Sequence, residues 1–239
     1  MPASTPVPPG LHAALASDEW FSHCAPTLRD ELLRLGRMRQ LAAGESLFAR
    51  GGEAEGLCCV VAGALRIGAL NADGDSTLLA YLEPYQWFGE ISLIDGRPRT
   101  HDAVADGPTQ VLVVPRPALL AWLDAHPAMW RELARLACRK LRVLFVAVEE
   151  LAQLPLEERV WRRLQLVARG YGSRDAPRRR IRLSQEVLAQ MLGVSRQSIN
   201  KALKALESGG RLRLHYGEIE LLAPSESPGS PAPAGPAAG

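Results

Sequence analysis

The stretch Ser195-Arg196-Gln197-Ser198-Ile199-Asn200-Lys201, continued by Lys204, carries the densest set of groups able to do recognition chemistry. An arginine can grip O6 and N7 of a guanine with two hydrogen bonds, and a Gln or Asn does likewise for adenine. Arg196, Gln197 and Asn200 are therefore candidate base readers. Ser198, Lys201 and Lys204 suit phosphate oxygens, which fix register but carry no sequence information. Ile199, Ala202, Leu203 and Leu206 recur at i, i+3, i+4 and i+7, so a helix here faces its polar row outward. Ser195 is placed to cap it.

A partner element precedes this one. Ser184 is placed to cap a first helix with Val187, Leu188, Met191 and Leu192 on one face, and Gly193 supplies a left-handed turn at no steric cost. Two helices joined this way, the second bearing the polar row, make a helix-turn-helix. Residues 209–221 then read as a β-hairpin wing, in which Arg211 and Arg213 are further phosphate candidates. The bland alternative is a helical pair in a non-binding bundle. Charge weighs against it: residues 155–222 carry 14 Lys/Arg against 7 Asp/Glu, whereas residues 1–154 carry 14 against 18. A basic block on an acidic one implies a polyanionic partner for the block alone. The candidate DNA-binding set is Ser195, Arg196, Gln197, Ser198, Asn200, Lys201 and Lys204.

Other elements must position this block. From about residue 17 to 125, short apolar runs such as Leu57-Cys58-Cys59-Val60-Val61 and Gln110-Val111-Leu112-Val113-Val114 alternate with glycine-bearing turns. That spacing predicts a β-sandwich or small barrel. Between Pro127 and Pro155 the period changes. Trp130, Ala134, Ala137, Leu141, Leu144, Val148 and Leu151 fall at alternating steps of four and three, a heptad seam. It predicts a helix that pairs with a second copy, and these seven residues are the candidate dimer interface. Leu133, Leu136, Val143 and Val146 form a second stripe, expected to pack on the strand domain. A single helix lying on its own domain is the alternative.

Composition sets outer bounds. The chain has 239 residues, 47% of them hydrophobic and 23% charged, enough to bury a core and unlike a disordered polymer. No apolar run reaches the ~18 residues a membrane helix needs. The first ten residues lack a signal-peptide pattern, and Cys24, Cys58, Cys59 and Cys138 have no disulfide-framework spacing, so a cytoplasmic setting is expected. No Ser/His/Asp set, paired carboxylates or phosphate loop can be assembled, which argues against an enzyme.

A β-roll, a long helix and a winged helix-turn-helix, in that order, resemble the Crp/Fnr family of bacterial transcription regulators. Phe88-Gly89-Glu90-Ile91-Ser92-Leu93, Arg97-Pro98-Arg99-Thr100 and Ser195 to Lys201 carry the resemblance. It implies an α+β fold: an N-terminal double-stranded β-helix (a jelly roll of the cyclic-nucleotide-binding type), a long dimerisation helix and a C-terminal winged head. The expected division is a disordered 1–16, a roll over 17–126, the helix over 127–154, the head over 155–223 and a disordered tail over 224–239. It also implies a homodimer on a two-fold symmetric operator in double-stranded DNA, RNA polymerase as a partner, and no membrane.

The same resemblance implies an effector site at Gly89, Glu90, Ile91, Ser92, Arg99 and Thr100. Arg99 would clamp a cyclic phosphate and Thr100 donate its hydroxyl. Glu90 would accept from a ribose hydroxyl, Gly89 would let the backbone approach, and amides near Ile91-Ser92 would favour the anion. An internal Arg99–Glu90 ion pair is the competing use. His101-Asp102 departs from the family's small residue there. Leu144 and Phe145 stand where cyclic-AMP binders offer hydroxyls to the adenine, so cyclic AMP, cyclic di-GMP, another nucleotide and no ligand all stay open. Gln197 stands where many members have Glu. Neither an iron–sulfur cluster nor haem is expected: Cys58 and Cys59 point to opposite faces of a strand, and His101 is a lone histidine.

Overall fold

In a computed structural model, residues 8, 10–70, 76–171, 173 and 177–222 are described. Three helices come first: α1 (Leu11–Leu15), α2 (Glu19–His23) and α3 (Pro26–Leu35). Strands β1 (Arg37–Leu41), β2 (Ser46–Phe48), β3 (Gly56–Ala62), β4 (Leu65–Leu70), β5 (Ser76–Leu82) and β6 (Trp87–Phe88) follow. Then come α4 (Glu90–Asp95), β7 (Asp102–Ala105), β8 (Thr109–Pro115), α5 (Arg116–Ala125) and α6 (Trp130–Gln153). The last part holds α7 (Leu156–Ala168), β9 (Arg180–Ile181), α8 (Gln185–Leu192), α9 (Arg196–Ser208), β10 (Leu212–His215) and β11 (Glu218–Leu221).

The strands from β1 to β8 form two antiparallel four-stranded sheets, ordered β1-β8-β3-β6 and β2-β7-β4-β5. Between them Leu41, Leu47, Cys58, Val60, Leu65, Phe88 and Val111 make one core. The outer face of the first sheet gives Leu57, Cys59, Trp87, Leu112 and Val114 to a second core with α1, α2, α3 and α5. β3 is thus covered on both faces, which is why it reads as an unbroken apolar run rather than an alternation. Cys58 and Cys59 do face opposite layers.

The expectation of disorder over 1–16 needs correcting at its end. Leu11–Leu15 is helical, with Leu11 and Leu15 buried in the second core. The proline-rich start hides a leucine pair at i, i+4, enough to dock one turn of helix. Met1–Val7 and Pro9, and the tail expected over 224–239, lie outside the described residues.

The long helix starts at Trp130 after a turn of 3₁₀ helix at Pro127–Met129, and stops at Gln153 because Leu154, before Pro155, is extended. Leu133 and Leu136 are buried against the roll's helical core. The stripe they begin does not continue: Val143 is half-buried and Val146 is 52% exposed, because α6 runs beyond the roll. Trp130, the first residue of the seam, is half-buried and packs partly against its own domain.

In the head, α7, α8 and α9 enclose Leu164, Leu188, Ile199, Leu203 and Leu206, closed by the sheet β10-β11-β9. Leu78 and Tyr81 of β5 belong to this same core. Roll and head therefore share buried surface.

Candidate nucleic-acid interface and effector cradle

Capping places the two helices of the motif. The Ser184 hydroxyl accepts from Val187 N–H at 3.1 Å, and Gly193 turns the chain at φ 64°. The Ser195 hydroxyl accepts from Ser198 N–H at 3.1 Å. With Ile199, Ala202, Leu203 and Leu206 buried, Arg196, Gln197, Lys201 and Lys204 stand exposed on the opposite side. Three members of the expected set are already engaged. Ser198 Oγ lies 2.9 Å from Ser195 Oγ, and Asn200 Nδ2 donates to Gln185 Oε1 at 3.3 Å, which braces α9 on α8.

Much of the head's positive charge is spent internally. Arg211, expected at a phosphate, instead bonds Glu158 at 2.7 Å and lies over Trp161 at 4.5 Å. Hydrogen bonding from Arg211, supported by Arg162, holds the Glu158 carboxyl below its usual range. Arg180 and Arg182 reach Glu218. Arg213 is exposed and has no ion pair among the described residues.

The head is held to the roll by polar contacts that sequence reasoning missed. Tyr81 N–H donates to Tyr171 Oη at 3.1 Å, Gln86 Nε2 donates to Gly170 O at 2.5 Å, and Glu19 N–H donates to Ser173 O at 2.9 Å. Arg178 pairs with Glu83. Burial pushes the Tyr171 hydroxyl up to about 12. Beside these contacts a cleft of about 940 Å³ opens between β5, α6 and the head, lined by Leu79, Leu144, Val148, Leu151 and Arg196.

The cradle residues meet, though not in the expected pairs. Gly89 has φ 92°, and a Cβ there would sit 2.6 Å from Arg99 Nη1. Arg99, only 4% exposed, donates through Nη1 to Gly89 O at 3.2 Å and through Nη2 to Gly56 O at 2.8 Å, and stacks over Phe48 at 4.2 Å. Its Nε is buried and has no hydrogen-bond partner among the described residues. Glu90, 1% exposed, does not pair with Arg99. It accepts from Lys140 Nζ on α6 at 2.6 Å. That correction ties the cradle to the long helix. Ser92 Oγ donates to Pro98 O at 3.3 Å, whereas Ile91 and Thr100 are exposed. Asp102 accepts from Arg50 N–H at 2.8 Å, and burial followed by nearby Arg50 lowers the His101 ring's pKa.

Cys24, Cys58 and Cys59 are buried, with burial raising each thiol's pKa, and Cys138 is exposed on α6. Among the described residues, no three His, Cys, Asp or Glu side chains converge as metal ligands, and no helix is long and apolar enough to cross a membrane.

Residues 38–126 match the cyclic nucleotide-binding domain, and residues 158–226 match the Crp-like helix-turn-helix domain. A Mycobacterium tuberculosis protein, described as a CRP-like cAMP-activated global transcriptional regulator, is 31% identical over 77% of this chain and 82% of its own. The cyclic AMP receptor protein of Thermus thermophilus is 31% identical over 84% and 91%. FixK2 from Bradyrhizobium japonicum shares the fold at a TM-score of 0.69 and 24% identity, over 78% of this chain and 92% of its own. A roll of the nucleotide-binding type followed by a Crp-like head defines a DNA-binding transcription regulator. The chain belongs to the Crp/Fnr family.

Proposed function

We propose that the protein acts in the cytoplasm as a homodimer, with two α9 helices entering successive major grooves of a two-fold symmetric operator about one DNA turn apart. One observation carries this reading. Leu141, Leu144, Val148 and Leu151 of the heptad seam are exposed in the single chain, Leu151 by 60%, on the helix that leads into the head. An apolar row of that length in water marks a protein interface, and a parallel pair of α6 helices would set two heads side by side. Arg196 and Gln197 then read bases, Lys201 and Lys204 hold phosphates, and RNA polymerase is the downstream partner. Asn200, braced by Gln185, contributes less to base reading than its type suggests.

The roll is the effector domain in this reading, and its ligand is an anionic cyclic nucleotide or dinucleotide. Support comes from the domain match and from two relatives named for cyclic AMP. Arg99 would exchange its carbonyl partners for a phosphate, and Glu90 would exchange Lys140 for a ribose hydroxyl. Such a ligand acts only if it favours one state of the pair over the other. Releasing Lys140 would act directly on α6.

A second reading has its own observation. Arg99 and Glu90 are already bonded, so the roll can stand without a ligand, as a structural module of an effector-independent regulator. Calorimetry with cyclic AMP, cyclic GMP and cyclic di-GMP separates the two. Saturable heat that is lost in Arg99→Ala supports the gated reading, and no heat with any of the three supports the second.

A further inference from the structure

One buried carboxylate stands where three parts of the molecule meet. Asp18 is 1% exposed and caps α2, its Oδ1 accepting from Phe21 N–H at 2.8 Å. The other oxygen, Oδ2, is buried and makes no hydrogen bond among the described residues. Arg139 of α6 stands 3.5 Å from it and comes closer to the neighbouring Glu19 carboxylate, at 3.2 Å. A buried carboxyl with one oxygen unanswered is costly when ionised and tolerable when protonated.

The next residue carries the head. Glu19 opens α2, and its N–H donates to Ser173 O at 2.9 Å. Ser173, 3% exposed, lies just past α7, and its hydroxyl accepts from Gln86 Nε2 of the roll at 3.4 Å. The first turn of α2 is therefore tied to the long helix through Arg139 and to the head through Ser173. An ionised Asp18 must draw Arg139 nearer or admit water, and either shifts that turn together with the Glu19 amide.

The other titratable groups around Asp18 are already committed. Cys24 of α2 and Cys59 of β3 feel its charge, but burial raises both thiols' pKa and keeps them neutral. Glu132 of α6 lies near Cys24, and the His23 ring is 3.9 Å from the Glu19 carboxylate. From the head, Arg178 pairs with Glu83. Arg139 is the cation and Glu19 the anion that act on Asp18 directly.

We propose that Asp18 is a proton-operated latch on the head: while Asp18 is neutral, Glu19 N–H holds Ser173 and the head stays docked, and when Asp18 ionises the first turn of α2 shifts and that hold is lost. Burial raises this carboxyl's pKa from 3.8 to about 6, so the docked molecule holds the proton more tightly than a released one does. The latch is therefore closed below about pH 6 and opens as pH rises through that value. It is separate from the effector cradle and from the bases that α9 reads.

Hydrogen exchange of the full-length protein at about pH 5 and about pH 7.5 tests the latch, with each amide's protection corrected for its intrinsic rate. The N–H groups of Glu19 and Tyr81 both donate across the junction, to Ser173 O and Tyr171 Oη. Their protection should fall about tenfold at the higher pH, within the ceiling of about a hundredfold that a shift of about two units allows. Asp18→Asn keeps a capping oxygen and has no proton to lose, so both amides should be equally protected at the two pH values. Glu19→Gln removes the neighbouring carboxylate, keeps the amide and should retain the step. Wild-type protection that is the same at both pH values overturns the latch, as does a step that survives in Asp18→Asn. A step abolished by Glu19→Gln overturns it too, because the proton then sits on Glu19. A step at Glu19 with Tyr81 unchanged also overturns it, since Asp18 would then act on α2 and not on the head.

Discussion

Tyr81 and Tyr171, ninety residues apart, join the roll to the head: the Tyr171 hydroxyl accepts from the Tyr81 backbone N–H at 3.1 Å, while the Tyr81 hydroxyl donates to Asp106 at 2.8 Å. Burial and the bond to Asp106 both raise the Tyr81 pKa, so its phenol stays a donor across the working pH range. The head is therefore docked by a residue whose other end is anchored in the roll. Any movement of the reading helix relative to the roll must break this contact and the Leu78–Tyr81 packing around it.

Tyr171→Phe removes the acceptor and keeps the ring. The Tyr81 N–H, only partly buried, then loses its partner at a cost of about 1 kcal/mol. A chain of this size should melt about 2–4 °C lower, and amides of α7 and β5 should exchange hydrogen faster. Unchanged exchange at both elements would show that the contact does not hold the head.

Lys140→Met leaves the Glu90 carboxylate buried without its counter-ion. Fully buried pairs cost about 3–5 kcal/mol to break, but Lys140 is one-third exposed, so about 1–3 kcal/mol is expected. Adding Glu90→Gln to Lys140→Met should recover most of that loss in denaturant titration. A double variant as unstable as the sum of the singles would mean the two residues act independently.

Arg196→Ala should lower affinity for the selected operator about 10- to 100-fold, the worth of a bidentate base contact, and affinity for random DNA far less. Gln197→Glu should shift the selected base at one position of each half-site from adenine toward cytosine. Equal losses on operator and random DNA would assign Arg196 to phosphate instead.

Asp18 gives a pH dependence. Its carboxyl caps α2 through Phe21 N–H and lies 3.5 Å from Arg139, yet burial outweighs both and raises its pKa from 3.8 to about 6. The folded chain thus holds this proton more tightly than the unfolded one. The stabilisation is complete below about pH 4 and is lost as pH rises through about 6, by up to about 3 kcal/mol. Asp18→Asn keeps a capping oxygen and has no proton to lose. It should gain on the wild type between pH 4 and 7 in paired melting curves; a constant gap would contradict the assignment.

Local patterns were legible in the sequence and long-range pairings were not. The caps at Ser184 and Ser195 and the turn at Gly193 follow from neighbours a few residues away, and the structure places them as read. The heptad spacing of α6 was equally visible, but not where the roll ends beneath it. Leu136 is buried and Val146 is half in water, though both belong to one stripe. The charge count of the basic block does not reveal which cations are free: Arg178 pairs with Glu83 of the roll, 95 residues away, and Arg211 with Glu158 inside the block, 53 residues away. Sequence neighbourhood offers Arg99 as the alternative ion-pair partner of Glu90, whereas the partner it has, Lys140, comes from a helix fifty residues on.

The seam is tested most directly by counting chains on DNA. Native mass spectrometry of the wild type with a full operator should give two chains per duplex, and Leu144→Asp, at an exposed position of the single chain, should give a folded monomer that binds the operator at least 100-fold more weakly. A wild-type chain that stays monomeric and binds one per duplex, with Leu144→Asp binding equally well, would contradict the homodimer at the centre of this account.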